Sequence, residues 1–307
     1  MGLIMSIAFC QMLPRDFTDT SMKTILGDDI LSKGSLVLLD PTHPLRQWEV
    51  GVPLSGTRLP NLADITASRL VQGEFRPTFK IENSMVDGSF IERTQKGGLH
   101  AGISSGQTRF SGTNIVIPDP ILAYMLANQT HEFYFSIWSY VTQPTEGVST
   151  AESQMHIYRG LNNPYPRGGV VTLPAQGSWS RPTGPNQTGR FVNNPNTVGP
   201  RFNNIAGFIS GSKNEAGDLL TMSDFALSQQ KNLVSMGPAN TESLYTATNA
   251  GGKRLQSWSM YRVYIEDLTV SQRSYASVHA IDIALYNKEM VIDGGRYKND
   301  SWRADPA

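Results

Sequence analysis

The sequence predicts a mainly β protein, an antiparallel sandwich with an extended N-terminal arm before it and a helix after it. Three observations carry this. Residues 131–140 (HEFYFSIWSY) alternate with period two: Phe133, Phe135 and Ile137 fall on one face of an extended chain, Tyr134, Ser136, Trp138 and Tyr140 on the other. Residues 258–268 (WSMYRVYIEDL) alternate likewise, setting Tyr261, Val263 and Ile265 against Met260, Arg262 and Tyr264. More than a hundred turn-rich residues separate the two runs, the long return that an antiparallel sandwich makes. Aromatic and β-branched residues at this density fit a pleated, buried surface. Phe133, Phe135, Ile137, Tyr261, Val263 and Ile265 are therefore the expected core between two sheets.

Composition agrees. The chain has 307 residues, 39% hydrophobic and only 17% charged, with 28 Gly and 18 Pro, the balance of an ordered, loop-rich β protein. Lys plus Arg and Asp plus Glu are 26 each, so the net charge is zero. A neutral chain exerts no general pull on DNA or RNA and resists association little. Cys10 is the only cysteine, which excludes an intrachain disulfide and suits a reducing cytoplasm.

Taken in order, residues 1–60 are expected to form an extended assembly arm. Residues 1–10 (MGLIMSIAFC) are apolar but lack the basic start and clean cleavage site of a signal peptide. Residues 36–39 (LVLL) are a short apolar run, and residues 48–60 carry too much Pro and Gly for a central strand. The sandwich is expected over 61–270. Residues 61–71 suit a short helix capped by Asn61. Strands are predicted at 75–81, 89–93, 107–110 and 114–117, and a helical turn or two at 121–127. A structureless loop spanning 141–204 would be anomalous, so strands are placed at 156–158, 169–173 and 190–192, with more at 205–209 and 219–222. In 271–307 the period changes: Tyr275, Val278, Ile281 and Leu285 share a helical face, with Ser274 as N-cap and Gly294 and Gly295 as terminators. Residues 296–307 read as an exposed tail carrying Trp302. No run reaches the length of a membrane span.

Chemistry-bearing motifs are sparse. Residues 102–106 (GISSG) match the G-x-S-x-G pattern around Ser104, but a nucleophile elbow needs a buried strand before it and a helix after it, and neither flank reads so. The five histidines, His43, His100, His131, His156 and His279, include no pair at i, i+4 spacing, and no carboxylate ladder for calcium is present. No glycine-rich phosphate cradle occurs. The expectation is no catalytic residue, metal or cofactor. Tyr165, Trp179 and Arg181, in polar loops, have the chemistry of a sugar-binding surface, with flat rings for stacking and a guanidinium for hydroxyls; the competing reading is that such rings anchor loops or bury against another subunit.

Residues 130–270 resemble a concanavalin-A-like (LamG-type) jelly roll, on the strength of FYFSIW at 133–138 and YRVYIEDL at 261–268. With GTRLPN at 56–61 before and LTVSQRSYA at 268–276 after, the chain resembles virion structural proteins of tailed bacteriophages. The resemblance implies a non-enzymatic particle component (tail, baseplate, fibre or capsid decoration), assembled in the host cytoplasm, with copies of itself and other virion proteins as partners. Neither nucleic acid nor membrane insertion is expected. The alternative is a carbohydrate- or receptor-binding module on the virion that takes a host surface glycan. A polysaccharide-degrading enzyme is the third reading.

Overall fold

The computed structural model describes residues 27–82, 85, 88–106, 112–146, 154–158, 169–173, 188–190, 197–209, 218–225, 231–237 and 255–306. Over these residues the chain is mainly β, with two antiparallel sheets and few helices. The seven-stranded sheet contains β1 (Ser35–Leu39), β3 (Phe90–Arg93), β4 (Leu99–Gly102), β6 (Glu132–Gln143), β9 (Thr188–Arg190), β10 (Gly199–Phe208) and β12 (Ser257–Asp267). Its order is β3-β4-β12-β6-β10-β9, and β1 also pairs with β12. The five-stranded sheet runs β2-β5-β11-β7-β8, from β2 (Thr78–Glu82), β5 (Gly112–Val116), β7 (Met155–Tyr158), β8 (Gly169–Leu173) and β11 (Lys231–Met236).

The two strands with the strongest alternation are neighbours. β12 pairs antiparallel with β6, placing Phe135 opposite Ile265 and Ile137 opposite Val263. Every residue of β12 is buried. One hydrophobic cluster takes side chains from both sheets: Phe133, Phe135, Ile137, Val263 and Ile265 from the larger, Phe79, Ile115, Ile157, Val171 and Val234 from the smaller. All six expected core residues are at most 1% exposed.

Tyr261 nevertheless faces the other way. The register slips between Met260 and Arg262, so Tyr261 is an extra residue in a β-bulge. Met260 therefore joins the main core. Tyr261 instead joins Trp138, Tyr286, Met290 and Tyr297 on the outer face. Strict alternation drawn through the bulge puts these two neighbours on the wrong sides.

Among the described residues, α-helices at α1 (Asp64–Leu70), α2 (Asp119–Ala127), α3 (Leu268–Ser271) and α4 (Tyr275–Tyr286) cover parts of this frame. α4 follows its sequence signals. The Ser274 hydroxyl accepts from Ser277 N–H at 3.2 Å. Val278 is buried beside Tyr134, Tyr264 and Leu268, with Tyr275, Ile281 and Leu285 packed around it. A π-turn at Asn287–Val291 ends the helix, and a Cβ on Gly295 would lie 2.5 Å from the Lys288 carbonyl oxygen, so the chain can pass there only as glycine.

Asn61 differs from its expected role. Helix α1 starts three residues later, and Asn61 is a fully buried staple between β1 and the chain leading into the helix. Its Oδ1 accepts from Leu38 N–H at 2.9 Å and Ala63 N–H at 3.0 Å, while Nδ2 donates to the Leu36 and Phe75 carbonyls, both at 2.9 Å. Both ends of the amide are thereby satisfied inside the protein.

The expected arm over 1–60 is, from residue 27 onward, part of the body. Its 36–39 run is β1, hydrogen-bonded to β12 and wholly buried. Residues 1–26 lie outside the described residues. The expected exposed tail also packs down: Tyr297 is buried, and Trp302 sits against Tyr140 with ring centroids 5.0 Å apart. Apolar and aromatic side chains on these segments cover the outer face of β12 and β6, whose alternate residues would otherwise face water.

Candidate functional site

The residues proposed for sugar contact, Tyr165, Trp179 and Arg181, fall outside the described residues, as does the strand expected at 107–110. Ser104 is buried and bonded to another serine. Its N–H donates to Ser89 Oγ at 2.9 Å, and the two hydroxyls are 3.0 Å apart. A strand, β4, does precede it, contrary to the sequence reading, but it belongs to an antiparallel sheet and residues 105–106 form a turn. This is not the parallel strand-to-helix geometry that exposes a nucleophile.

Buried charge is concentrated on the outer face of the seven-stranded sheet. Arg262, fully buried, places Nη2 2.5 Å from Asp28 Oδ1 and Nη1 3.4 Å from Asp40 Oδ2, with its guanidinium over Trp138 at 4.7 Å. Asp40 also meets Arg296 at 2.7 Å and accepts from Tyr297 Oη at 2.6 Å. Asp282 on α4 accepts from Tyr134 Oη and Trp138 Nε1, both at 2.9 Å. Burial raises the Asp28 carboxyl, but the hydrogen bond with His43 and the Arg262 charge outweigh it and hold the group well below the usual range. For Asp282 burial wins over Arg262 and its hydrogen bonds, and its pKa is raised. The cluster ties residues 28–43, β6, β12, α4 and the C-terminal segment together. Its carboxylates spend their lone pairs on these ties, which is the work of a clamp.

Two further groups have catalytic residue types. Asp267 Oδ2 lies 2.7 Å from His131 Nδ1 and accepts from Tyr124 Oη at 2.8 Å, while its Oδ1 caps α3 through Val270 N–H at 2.9 Å. Glu266 binds Arg273 (Nε at 2.9 Å) and Tyr264 Oη at 2.8 Å. A carboxylate orienting an imidazole is half of a general-base arrangement, but here the same carboxylate also holds a helix start. Among the described residues no group of three His, Cys, Asp or Glu side chains is arranged to hold a metal ion.

The second face of the five-stranded sheet, opposite the shared core, is polar. Register places Lys80, Asn114 and Ser235 in one row across β2, β5 and β11. A second row joins Thr78, Val116, Asn232, His156 and Thr172 across all five strands. Asn232 is fully buried, and neither Oδ1 nor Nδ2 has a hydrogen-bond partner; Ser235 Oγ is likewise buried without one. Leaving such groups unpaired costs about 1–3 kcal/mol each. Burial lowers the His156 pKa to about 3, so the imidazole is neutral at physiological pH. The sequence reading assigns no strand to 231–236, because a second bulge at Leu233 breaks the alternation there.

An apolar edge lies beside β2. Residues 55–59 run along this strand: Gly56 N–H donates to the Phe79 carbonyl and Phe79 N–H to the Thr57 carbonyl, both at 2.8 Å, and Ile81 N–H to Ser55 Oγ at 3.0 Å. The chain just before these bonds exposes Val50 and Leu54, at 106% and 80%, and Ile81 of β2 is itself exposed. Trp48, buried under the Arg93 guanidinium at 5.5 Å, anchors the loop's start.

Comparison of the chain with protein-family models, with curated proteins and with solved structures finds no match.

Proposed function

We propose that the protein is a non-enzymatic structural component of a bacteriophage particle, a jelly-roll sandwich that works by protein–protein assembly. The carrying observation is the exposure of Val50 and Leu54 on the chain leading into residues 55–59, which are bonded to the edge strand β2, together with Ile81 of that strand, also exposed. Solvated apolar side chains grouped at a sheet edge favour burial against another protein, and copies of the same chain are the partner this reading commits to. The hydrophobic cluster that draws on both sheets supports the sandwich. The resemblance of residues 56–61, 133–138 and 261–276 to tailed-phage virion proteins supports the particle. Mass spectrometry of purified particles from the propagating host tests it. The protein is expected at an abundance comparable to other structural components; recovery only from the soluble lysate contradicts the reading.

The second reading, a carbohydrate- or receptor-binding module, draws on the residue types at Tyr165, Trp179 and Arg181, flat rings and a guanidinium suited to a polyhydroxylated ligand. A glycan array separates the two readings: saturable binding abolished by Trp179→Ala favours the second, and its absence favours assembly alone.

A further inference from the structure

The outer face of the sheet at β3, β4 and β6 holds a groove lined by Phe90, Glu92, His100, Tyr140 and Thr142, and residues 301–306 of the chain's own C-terminal segment lie in it. One backbone bond, Gln95 N–H to the Ser301 carbonyl at 2.9 Å, starts the segment, and side chains of the groove make the remaining contacts. Trp302 packs on His100 and Tyr140, with centroids 5.9 and 5.0 Å apart. The Arg303 guanidinium lies 4.5 Å over Phe90, and Arg303 N–H donates to Glu92 Oε1 at 2.7 Å. Asp305 Oδ1 lies 3.2 Å from His100 Nε2 as a charge contact without a hydrogen bond; that nitrogen is bonded to Thr142 Oγ1 at 3.1 Å, and the other ring nitrogen lies 3.0 Å from Glu92 Oε1. Pro306 closes the far end over Gly102, where a Cβ would stand 2.5 Å from the Phe90 ring and 3.1 Å from the proline. An aromatic slot, a carboxylate acceptor and an imidazole at fixed spacing read a Trp-Arg-x-Asp-Pro sequence much as a peptide-binding domain reads its ligand.

The chain before the bend is anchored independently: Tyr297 is buried and bonded to Asp40 at 2.6 Å and Thr42 at 2.7 Å. Beyond it, Asp300 travels with the strap, accepting from Tyr261 Oη at 3.0 Å and Lys96 N–H at 2.7 Å. Between Tyr297 and the strap, Asn299 has φ +58°, a left-handed bend outside glycine that an extended connection would not need. Anchor, bend and sequence-specific strap are the parts of an exchangeable element: opening the bend relieves it and lets the same contacts form on another molecule. We infer that this groove is a peptide-docking site, and that its second occupant is the 301–306 strap of another copy of the chain. The inference does not depend on the particle assignment, since it concerns a different surface from the loop at 50–59.

Full-length Trp302→Ala protein, whose own strap is weakened, is the receptor for the test. The probe is a fluorescein-labelled synthetic peptide of sequence DSWRADPA. Saturable binding is expected, at least tenfold weaker when the peptide's tryptophan is replaced by alanine, and at least tenfold weaker to the wild-type protein, whose groove is filled. In a capture experiment, tagged Trp302→Ala protein should retain untagged wild-type protein but not untagged Trp302→Ala protein. Absence of saturable peptide binding, or binding indifferent to the peptide's tryptophan, overturns the docking site. Capture that survives Trp302→Ala in both copies, or fails with a wild-type donor, overturns the exchange. Circular dichroism of Trp302→Ala and of the gentler Trp302→Phe ensures that a loss is read only from folded protein.

Discussion

Arg262 and Asp28 stand 234 positions apart in the sequence and meet at 2.5 Å, both almost wholly buried. One lies at the centre of the seven-stranded sheet and the other a few residues before β1, so the contact makes the stretch from residue 27 structural. Removing one partner of a buried pair leaves the other charge uncompensated, at a cost of about 3–5 kcal/mol. Arg262→Met keeps an apolar stem in the same space while removing the guanidinium; it is expected to lower the unfolding free energy by about that amount, measured in urea. A loss under about 1 kcal/mol would mean the cluster is solvated.

The same contact sets an acid limit. Because the Asp28 carboxyl is held below its unfolded value, its contribution is fully present above the unfolded pKa near 3.8 and is lost as pH falls below that. Asp28→Asn should therefore narrow its stability gap to the wild type as pH drops from 5 towards 2. A constant gap contradicts the assignment.

His156 acts in a higher window. Its folded pKa is lowered from 6.5 to about 3, so below pH 6.5 the unfolded chain takes a proton that the folded protein refuses. Stability is complete above that value and falls by about 1.4 kcal/mol per pH unit as acid is added. His156→Gln should remove about 2 kcal/mol of the wild-type loss between pH 7 and pH 5, read from urea midpoints.

The bulge at Tyr261 predicts which aromatics are coupled. Tyr261 and Tyr297 lie with ring centroids 4.6 Å apart, whereas Phe135 is in the core on the opposite face. A double-mutant cycle to leucine should give about 0.5–1.5 kcal/mol for Tyr261 with Tyr297 and near zero for Tyr261 with Phe135. Phe135→Ala alone should cost about 3–5 kcal/mol. Coupling between Tyr261 and Phe135 would restore the unbroken alternation.

Some of this was legible in the residues and some was not. The β6–β12 pair was, because Phe133, Phe135 and Ile137 meet Val263 and Ile265 with period two; α4 was, because Ser274 and a clean apolar stripe mark it. Tyr261 and Leu233 were not, since a bulge adds a residue without changing composition. The Asp28, Asp40, Arg262 and Arg296 cluster was hidden for another reason. Its members are ordinary charges in local sequence, and only long-range pairing removes them from water. The polar row through Asn232 was missed because the bulge at Leu233 hides the strand at 231–236, although the strand carrying Asn114 was expected. The aromatic loop residues Tyr165, Trp179 and Arg181 lie outside the described residues.

The most direct test of the assembly account is incorporation of a charged edge. Tagged wild-type protein and the Val50→Asp, Leu54→Asp double variant, each supplied in an infected host, are compared in purified particles and in the soluble fraction. Both side chains are solvated, so the free protein's stability should change by less than about 0.5 kcal/mol. Wild-type protein is expected in the particles, and the variant, though folded and soluble, is expected there at no more than a tenth of that level. Equal incorporation of the two proteins would contradict assembly through this edge.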